Sequence, residues 1–276
     1  MNVVHKGLWY VESHFRNSVG LEDVARASHV SKFHLTRAFS EVMGMSLMKY
    51  VRRRRLTESA KVLAEGAPDI LSVALDHGYS SHEAFSRAFK EEFHLTPEMV
   101  RSQGHLNNLS LMEPIAMTTT PLPKLTAPRV ETLANKRLVG MVERYNLESA
   151  AGIPSQWQRF VPYLDNLPNK VGSAAYGVCY NYTEDGVFDY LSGVEVQTEN
   201  DAPFGLVQLN LPEQKYAVFS HNGHISEIRS VISAIWCDGL PQSGYEAAAG
   251  PTLEKYDETF DSETGLGGFE IWVSIK

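Results

Sequence analysis

Lys32, Phe33, Thr36 and Arg37 recur by position 50 residues later as His82, Glu83, Ser86 and Arg87. Positions i, i+1, i+4 and i+5 lie on one side of a 3.6-residue helix. An α-helix fits the major groove of duplex DNA. There an arginine can read guanine, short hydroxyls reach bases or phosphates, and a phenylalanine can touch a thymine methyl. One such side, taken alone, is more often an ordinary solvated face. Two in matching positions favour a functional pair.

A second kind of chemistry lies near the C-terminus. Alternation along 268–275 puts Phe269, Ile271, Val273 and Ile275 on one face, and Glu270, Trp272 and Ser274 on the other. A carboxylate beside an indole suits a cation, because charge pairing adds to cation–π attraction of about 0.5–2 kcal/mol. The strand by itself also fits a solvent-facing glutamate. Further aromatics favour a site: Tyr180 shares a predicted strand face with Tyr176, Val178 and Tyr182, Tyr145 follows another strand, and Trp157 sits on a helix. Phe160 and Trp236 read as core. An apolar concavity with a few polar groups is the usual form of a small-molecule site.

The elements that must position these residues fall into two sets. From Val3 to Arg101 the apolar spacing is helical, as in Leu35, Phe39, Val42 and Met43, or Phe85, Phe89 and Phe93. About seven helices are expected, the longest over 47–64. Arg37-Ala38-Phe39 repeats as Arg87-Ala88-Phe89, and each copy reads as helix, tight turn, helix. Residues 107–129 hold Pro114, Pro121, Pro123, Pro128 and a threonine run, which disfavours helix and reads as an extended linker. Beyond it, strands are expected at 130–134, 137–143, 174–182, 188–198, 205–211, 215–221, 252–256 and 268–275, with helices near 154–166 and 224–238. The fold class is therefore an all-α double helix-turn-helix N-terminal domain (1–106), a linker (107–126), and an α+β C-terminal domain (127–276) of two βαββ halves.

Composition agrees. At 276 residues, 43% hydrophobic and 21% charged, the chain is globular rather than disordered. There is no eighteen-residue apolar run and no signal-peptide pattern at the N-terminus, so a cytoplasmic protein without a membrane partner is expected. Cys179 and Cys237 form no CxxC, and no metal, cofactor or catalytic set is expected. The net charge of −8 is an average. Residues 1–106 hold 14 Lys and Arg against 12 Asp and Glu, a net of +2, and the remainder hold 11 against 21, a net of −10. Arg52 to Arg55 point all round a helix. One or two of them, Arg53 in particular, contact phosphate, or they bridge to Glu58 and stay solvated.

The first half resembles the AraC/XylS family of transcription regulators. The resemblance rests on Gly78-Tyr-Ser-Ser-His-Glu-Ala-Phe-Ser-Arg-Ala-Phe-Lys90 with Thr96-Pro97, on Leu21-Glu-Asp-Val-Ala25 and on Ser31-Lys-Phe-His-Leu35. It implies two helix-turn-helix units joined by the 47–64 helix, set in successive major grooves about 34 Å apart. His29 and His94 stand where that family usually has glycine. The second half resembles the GyrI-like, or AraC effector-binding, domain through Trp157-Gln-Arg-Phe160, Tyr176-Gly-Val178, Glu254-Lys-Tyr256 and Glu270-Ile-Trp272. That resemblance implies two halves about a pseudo-twofold. The glutamate matching Glu270 would sit in the cleft between them and face cationic, aromatic compounds, as in multidrug sensing. The expected partners are double-stranded DNA, a small-molecule effector and RNA polymerase, with the chain a monomer. The competing reading is a hydrolase or sequestering protein for aromatic compounds, with Glu270 as general base.

Overall fold

The computed structural model describes residues 2–115, 122–146, 148–164, 166–197, 203 and 205–276. Two compact units form, one from Val3–Lys32 and the stretch beginning at Ser46, the other from Phe33–Met45 and the C-terminal half to Lys276.

Seven α-helices precede residue 104 among the described residues: α1 (Val3–His14), α2 (Leu21–Ser28), α3 (Lys32–Met43), α4 (Leu47–Ala64), α5 (Ile70–Asp76), α6 (His82–Phe93) and α7 (Pro97–Gln103). All but α3 belong to the first unit. Their starts follow from capping chemistry. Ser46 Oγ accepts from the Lys49 amide, Asp69 from Leu71 and Ser72, Ser81 from Ala84, and Thr96 from Met99 with Pro97 at the first helical position. Leu56, Leu63, Val73, Phe85, Phe89, Phe93 and Val100 form the core on which α4 to α7 pack.

The ends of α2 and α6 settle the glycine question. His29 and His94 adopt left-handed backbone, with φ of 59° and 57°. The turns thus keep the conformation glycine would supply, with a strained side chain in its place. His94→Gly is expected to raise the stability of this unit by about 0.5–1 kcal/mol. A melting temperature unchanged or lowered would contradict this.

The residues expected as an extended linker start out anchored. Leu109 and Leu111 pack on the core of the second helical pair, as does Leu106 just before them, and the Met112 amide donates to Thr57 Oγ1 at 2.8 Å. The threonine run and Pro121 lie outside the described residues.

In the second unit, β1 (Arg129–Leu133) and β2 (Lys136–Tyr145) precede α8 (Ile153–Phe160), followed by β3 (Lys170–Tyr180) and β4 (Phe188–Val196). Then β5 (Val207–Leu211), β6 (Gln214–His221), α9 (Ile228–Ala234), α10 (Leu240–Ser243), β7 (Ala247–Tyr256) and β8 (Phe269–Ile275) repeat the order. A π-helical turn over Ile235–Gly239 joins α9 to α10. One antiparallel sheet results, in the order β1-β6-β8-β7-β3-β4-β2-β5. The leading strand of each half therefore pairs with the other half, β1 with β6 and β5 with β2.

Alternation assigns the faces. Leu138, Tyr176, Val178, Leu191, Tyr216, Leu253 and Trp272 bury one face together. Val139 and Val194 bury the other against Phe160 of α8. Tyr182 departs from the expected pattern. Asn181 has φ of 53° and ends the strand, so Tyr182 joins Cys179, Phe188 and Tyr190 instead of Tyr176 and Val178.

Candidate functional site

In the first unit, Asp69 and Ser81 fix the starts of α5 and α6, and α6 carries the four residues of the second repeat. Glu83 and Arg87 are exposed. His82 lies 3.4 Å from Glu98. Ser86 shares their side of the helix, but its Oγ is covered and makes no hydrogen bond, so it presents no hydroxyl at the surface. Arg87 shares a groove with Arg52, Arg55, Tyr79 and Glu91.

The arginine run divides by position. Arg54, only 3% exposed, donates to Glu12, to Glu58 Oε1 at 3.2 Å and to the Met112 carbonyl at 2.8 Å. Arg55 donates to the carbonyls of Phe15 and Asn17, both at 2.6 Å, and its guanidinium backs onto Gly78. Arg53 pairs with Glu92 at 2.5 Å. Arg52 pairs with Glu91 and is the most exposed of the four. Arg52, Arg53 and Arg54 are thus all ion-paired, but only Arg54 meets the expected Glu58, and it is buried rather than solvated. Arg52 and Arg55, not Arg53, line the groove shared with Arg87.

In the second unit, the expected ligand residues do not converge. Glu270, Trp272 and Tyr180 lie on one face of the sheet, while Tyr145 and Trp157 belong to the other. Glu270 is also already matched. Arg129 donates to it at 2.7 Å, Lys255 stands at 3.7 Å, and Trp272 Nε1 donates to its second oxygen at 3.0 Å.

A different glutamate occupies the face with Trp157. Glu254, in β7, is 7% exposed. Its Oε2 accepts the Tyr190 hydroxyl at 2.5 Å and the Tyr256 hydroxyl at 2.9 Å. The Trp157 indole donates to the Tyr190 oxygen at 2.8 Å and packs edge-on to Tyr256. Among the described residues, no lysine or arginine forms an ion pair with Glu254. The backbone makes the room: Gly177 pairs with Glu254 across β3 and β7, where a side chain would strike both the carboxylate and the phenol. Gln156, fully buried beside Trp157, ties α8 to β2 and β4 through the carbonyls of Met141 and Tyr190.

Burial pushes the Glu254 carboxyl above the ordinary glutamate value, and the two phenol hydrogen bonds pull it part of the way back. Burial likewise holds Tyr190 and Tyr256 well above the ordinary tyrosine value, so both are neutral donors near pH 7. Tyr145, beside Tyr190, is pushed up to about 12 by burial and by its bond to Glu143. The result is a buried, aromatic-walled carboxylate with no ion-pairing lysine or arginine among the described residues.

The α3 helix lies in the same unit. Phe33 packs edge-on to Tyr182 and Trp236, and His34 Nε2 meets the Trp236 carbonyl at 2.7 Å. Arg37 is 5% exposed, with its guanidinium 3.7 Å from the Tyr182 ring centre and 5.2 Å from that of Trp236. Lys32 is exposed and pairs with Glu22 at 3.1 Å, and Thr36 is half-buried.

The profile of the GyrI-like small molecule binding domain matches residues 126–276. The chain belongs to the GyrI-like family. A helix-turn-helix domain profile matches residues 24–103 ahead of that GyrI-like domain. The transcriptional regulator Rob of Salmonella typhimurium is 25% identical over 278 residues, covering 95% of this chain and 93% of Rob. The right origin-binding protein of Escherichia coli is 26% identical, with the same coverage. The probable transcription factor PqrA of Proteus vulgaris is 41% identical over 105 residues, 37% of this chain and 86% of PqrA. The protein is thus an AraC-type DNA-binding transcription regulator with a GyrI-like small-molecule-binding domain. Among the described residues, no helix is long and apolar enough to cross a membrane.

Proposed function

We propose that the GyrI-like domain senses a cationic aromatic molecule through Glu254, and that α6 and α3 read DNA. One observation carries the ligand class: a carboxylate 7% exposed, ringed by Tyr190, Tyr256 and Trp157, with no ion-pairing lysine or arginine among the described residues. Buried charge is strongly disfavoured unless a partner arrives. A cation with aromatic substituents supplies the charge and packs on the rings. Glu270 is the weaker candidate, since Arg129 and Lys255 already neutralise it.

The test is calorimetric titration of the full chain with tetraphenylphosphonium and with neutral triphenylphosphine oxide. The cation should bind more tightly, and Glu254→Gln should weaken it tenfold or more, about 1.4 kcal/mol or above, while leaving the neutral compound unchanged. Equal loss for Glu270→Gln and none for Glu254→Gln would return the site to the other face. Cation affinity should also fall with acidification at a pH above that of an ordinary glutamate, because protonation of Glu254 competes with the cation. The competing hydrolytic reading predicts turnover of the bound compound; recovery of intact probe supports sensing.

For DNA, the exposure of Arg87 beside Arg52 supports base reading by the first and phosphate contact by the second. Arg87→Ala should cost about 1–3 kcal/mol against the preferred duplex and little against random DNA. Arg52→Ala should weaken both alike and flatten the salt dependence. Two helix-turn-helix units in one chain would let a monomer span two half-sites.

A further inference from the structure

The Arg37 side chain belongs to the helix face expected to read DNA, yet it is buried beside the sensing site. Its guanidinium lies over the Tyr182 ring, close to Trp236, and pairs with Glu41 of its own helix at 3.2 Å. Tyr182 and Cys179 share one cluster with Tyr190, whose hydroxyl donates to Glu254. Glu254 feels both charges of this pair, Glu41 raising its pKa and Arg37 lowering it. A planar cation resting on aromatic rings near a buried carboxylate is the chemistry proposed above for the effector.

The contact is also incompletely satisfied. Arg37 Nε and Trp236 Nε1 are buried and lack hydrogen-bond partners among the described residues. Buried donors without acceptors weigh against the arrangement that buries them. Such a contact is poised to be displaced by a ligand that meets its needs better. While it holds, Phe33 and Arg37 are packed within the unit and cannot enter a major groove.

We propose that Arg37 is a built-in cationic occupant of the GyrI-like domain: its docking on Tyr182 and Trp236 withholds α3 from DNA, and an aromatic cation that pairs with Glu254 and packs into the adjoining Tyr182–Tyr190 cluster releases α3 by displacing Arg37 from it. The competition rests on the sensing function proposed for Glu254; the withholding of α3 stands on the contacts of Arg37 alone. A ligand that binds only the released state shifts the equilibrium toward DNA binding by its differential affinity.

The test uses the full chain, titrated with tetraphenylphosphonium, with hydrogen exchange followed over residues 33–43. Arg37→Gln removes the internal competitor and should tighten probe binding about tenfold. Glu41→Gln loosens it and should act in the same direction to a smaller extent, which keeps the test usable if Arg37→Gln folds poorly. Saturating probe should lower α3 protection in the unmodified chain. Unchanged or weaker probe binding by both variants, or unchanged α3 protection at saturation, would overturn the competition. If no chain binds the probe, the sensing function of Glu254 fails separately. Faster α3 exchange in ligand-free Arg37→Gln would then still support Arg37 as the anchor, and unchanged exchange would remove that too.

Discussion

Arg54→Ala should destabilise the helical unit by about 3–5 kcal/mol, as read by urea or thermal unfolding. The reason is the number of groups that lose a partner at once. Arg54 meets Glu12 with a two-pronged set of bonds at 2.9, 3.1 and 3.2 Å, and Glu12 also accepts the Tyr50 hydroxyl at 2.6 Å. The same guanidinium holds Glu58 and the Met112 carbonyl, and it lies 5.0 Å from the Phe15 ring. It therefore joins α1, α4 and the segment after α7. Arg54→Lys keeps the charge but not the planar fork, so it should recover only part of the loss. The acid side adds a second readout. Despite burial, which raises it, the Glu58 carboxyl is held below its ordinary value of 4.5 by Lys61 and Arg54. Its contribution is complete above that ordinary value and fades as pH falls through the lower folded one. Without Arg54, fading should begin at higher pH. A loss under about 1 kcal/mol would mean that water replaces the arginine.

Gly177→Ala should disable the carboxylate site and lower the stability of the GyrI-like domain by about 2–4 kcal/mol. An added Cβ would lie 2.2 Å from the Tyr190 hydroxyl and 2.4 Å from Glu254 Oε2. Glu254 has a flexible end, but Tyr190 is a rigid ring fixed by Trp157 and buried on all sides. The methyl occupies the place of the hydrogen bond itself, so the phenol and the carboxylate cannot both stay satisfied. Tetraphenylphosphonium affinity should fall with the melting temperature. Normal melting and normal binding together would show that the pair relaxes freely and that the glycine is incidental.

Local pattern was enough for most of the elements. The 47–64 helix appears as α4 over Leu47–Ala64, and the eight expected strands appear within a few residues of their observed bounds. Period and capping residues are local signals, and these elements obey them. The site residues depend on distant partners. Glu270 looked promising beside Trp272, but the Arg129 that neutralises it lies 141 residues away in sequence. Glu254 stood between Thr252 and Tyr256 on an alternating strand, a legible signal, yet the strand alone does not say which face is closed. Tyr182 changed sides through one backbone angle at Asn181. Partners for Arg52 and Arg53 arrive from Glu91 and Glu92, 39 residues on.

The crossed pairing of β1 with β6 and of β5 with β2 has a consequence for how the sheet comes into being. Each repeat lends its first strand to the other, so each would present a bare, adhesive edge if made alone. Register between Arg129 and Val218 cannot form until 89 further residues have been synthesised. Assembly is thus tied to late, long-range encounters, which are slow. Cutting the chain between the repeats should yield two insoluble pieces that become soluble only when mixed and refolded together, like two hands that can be clasped but not closed singly.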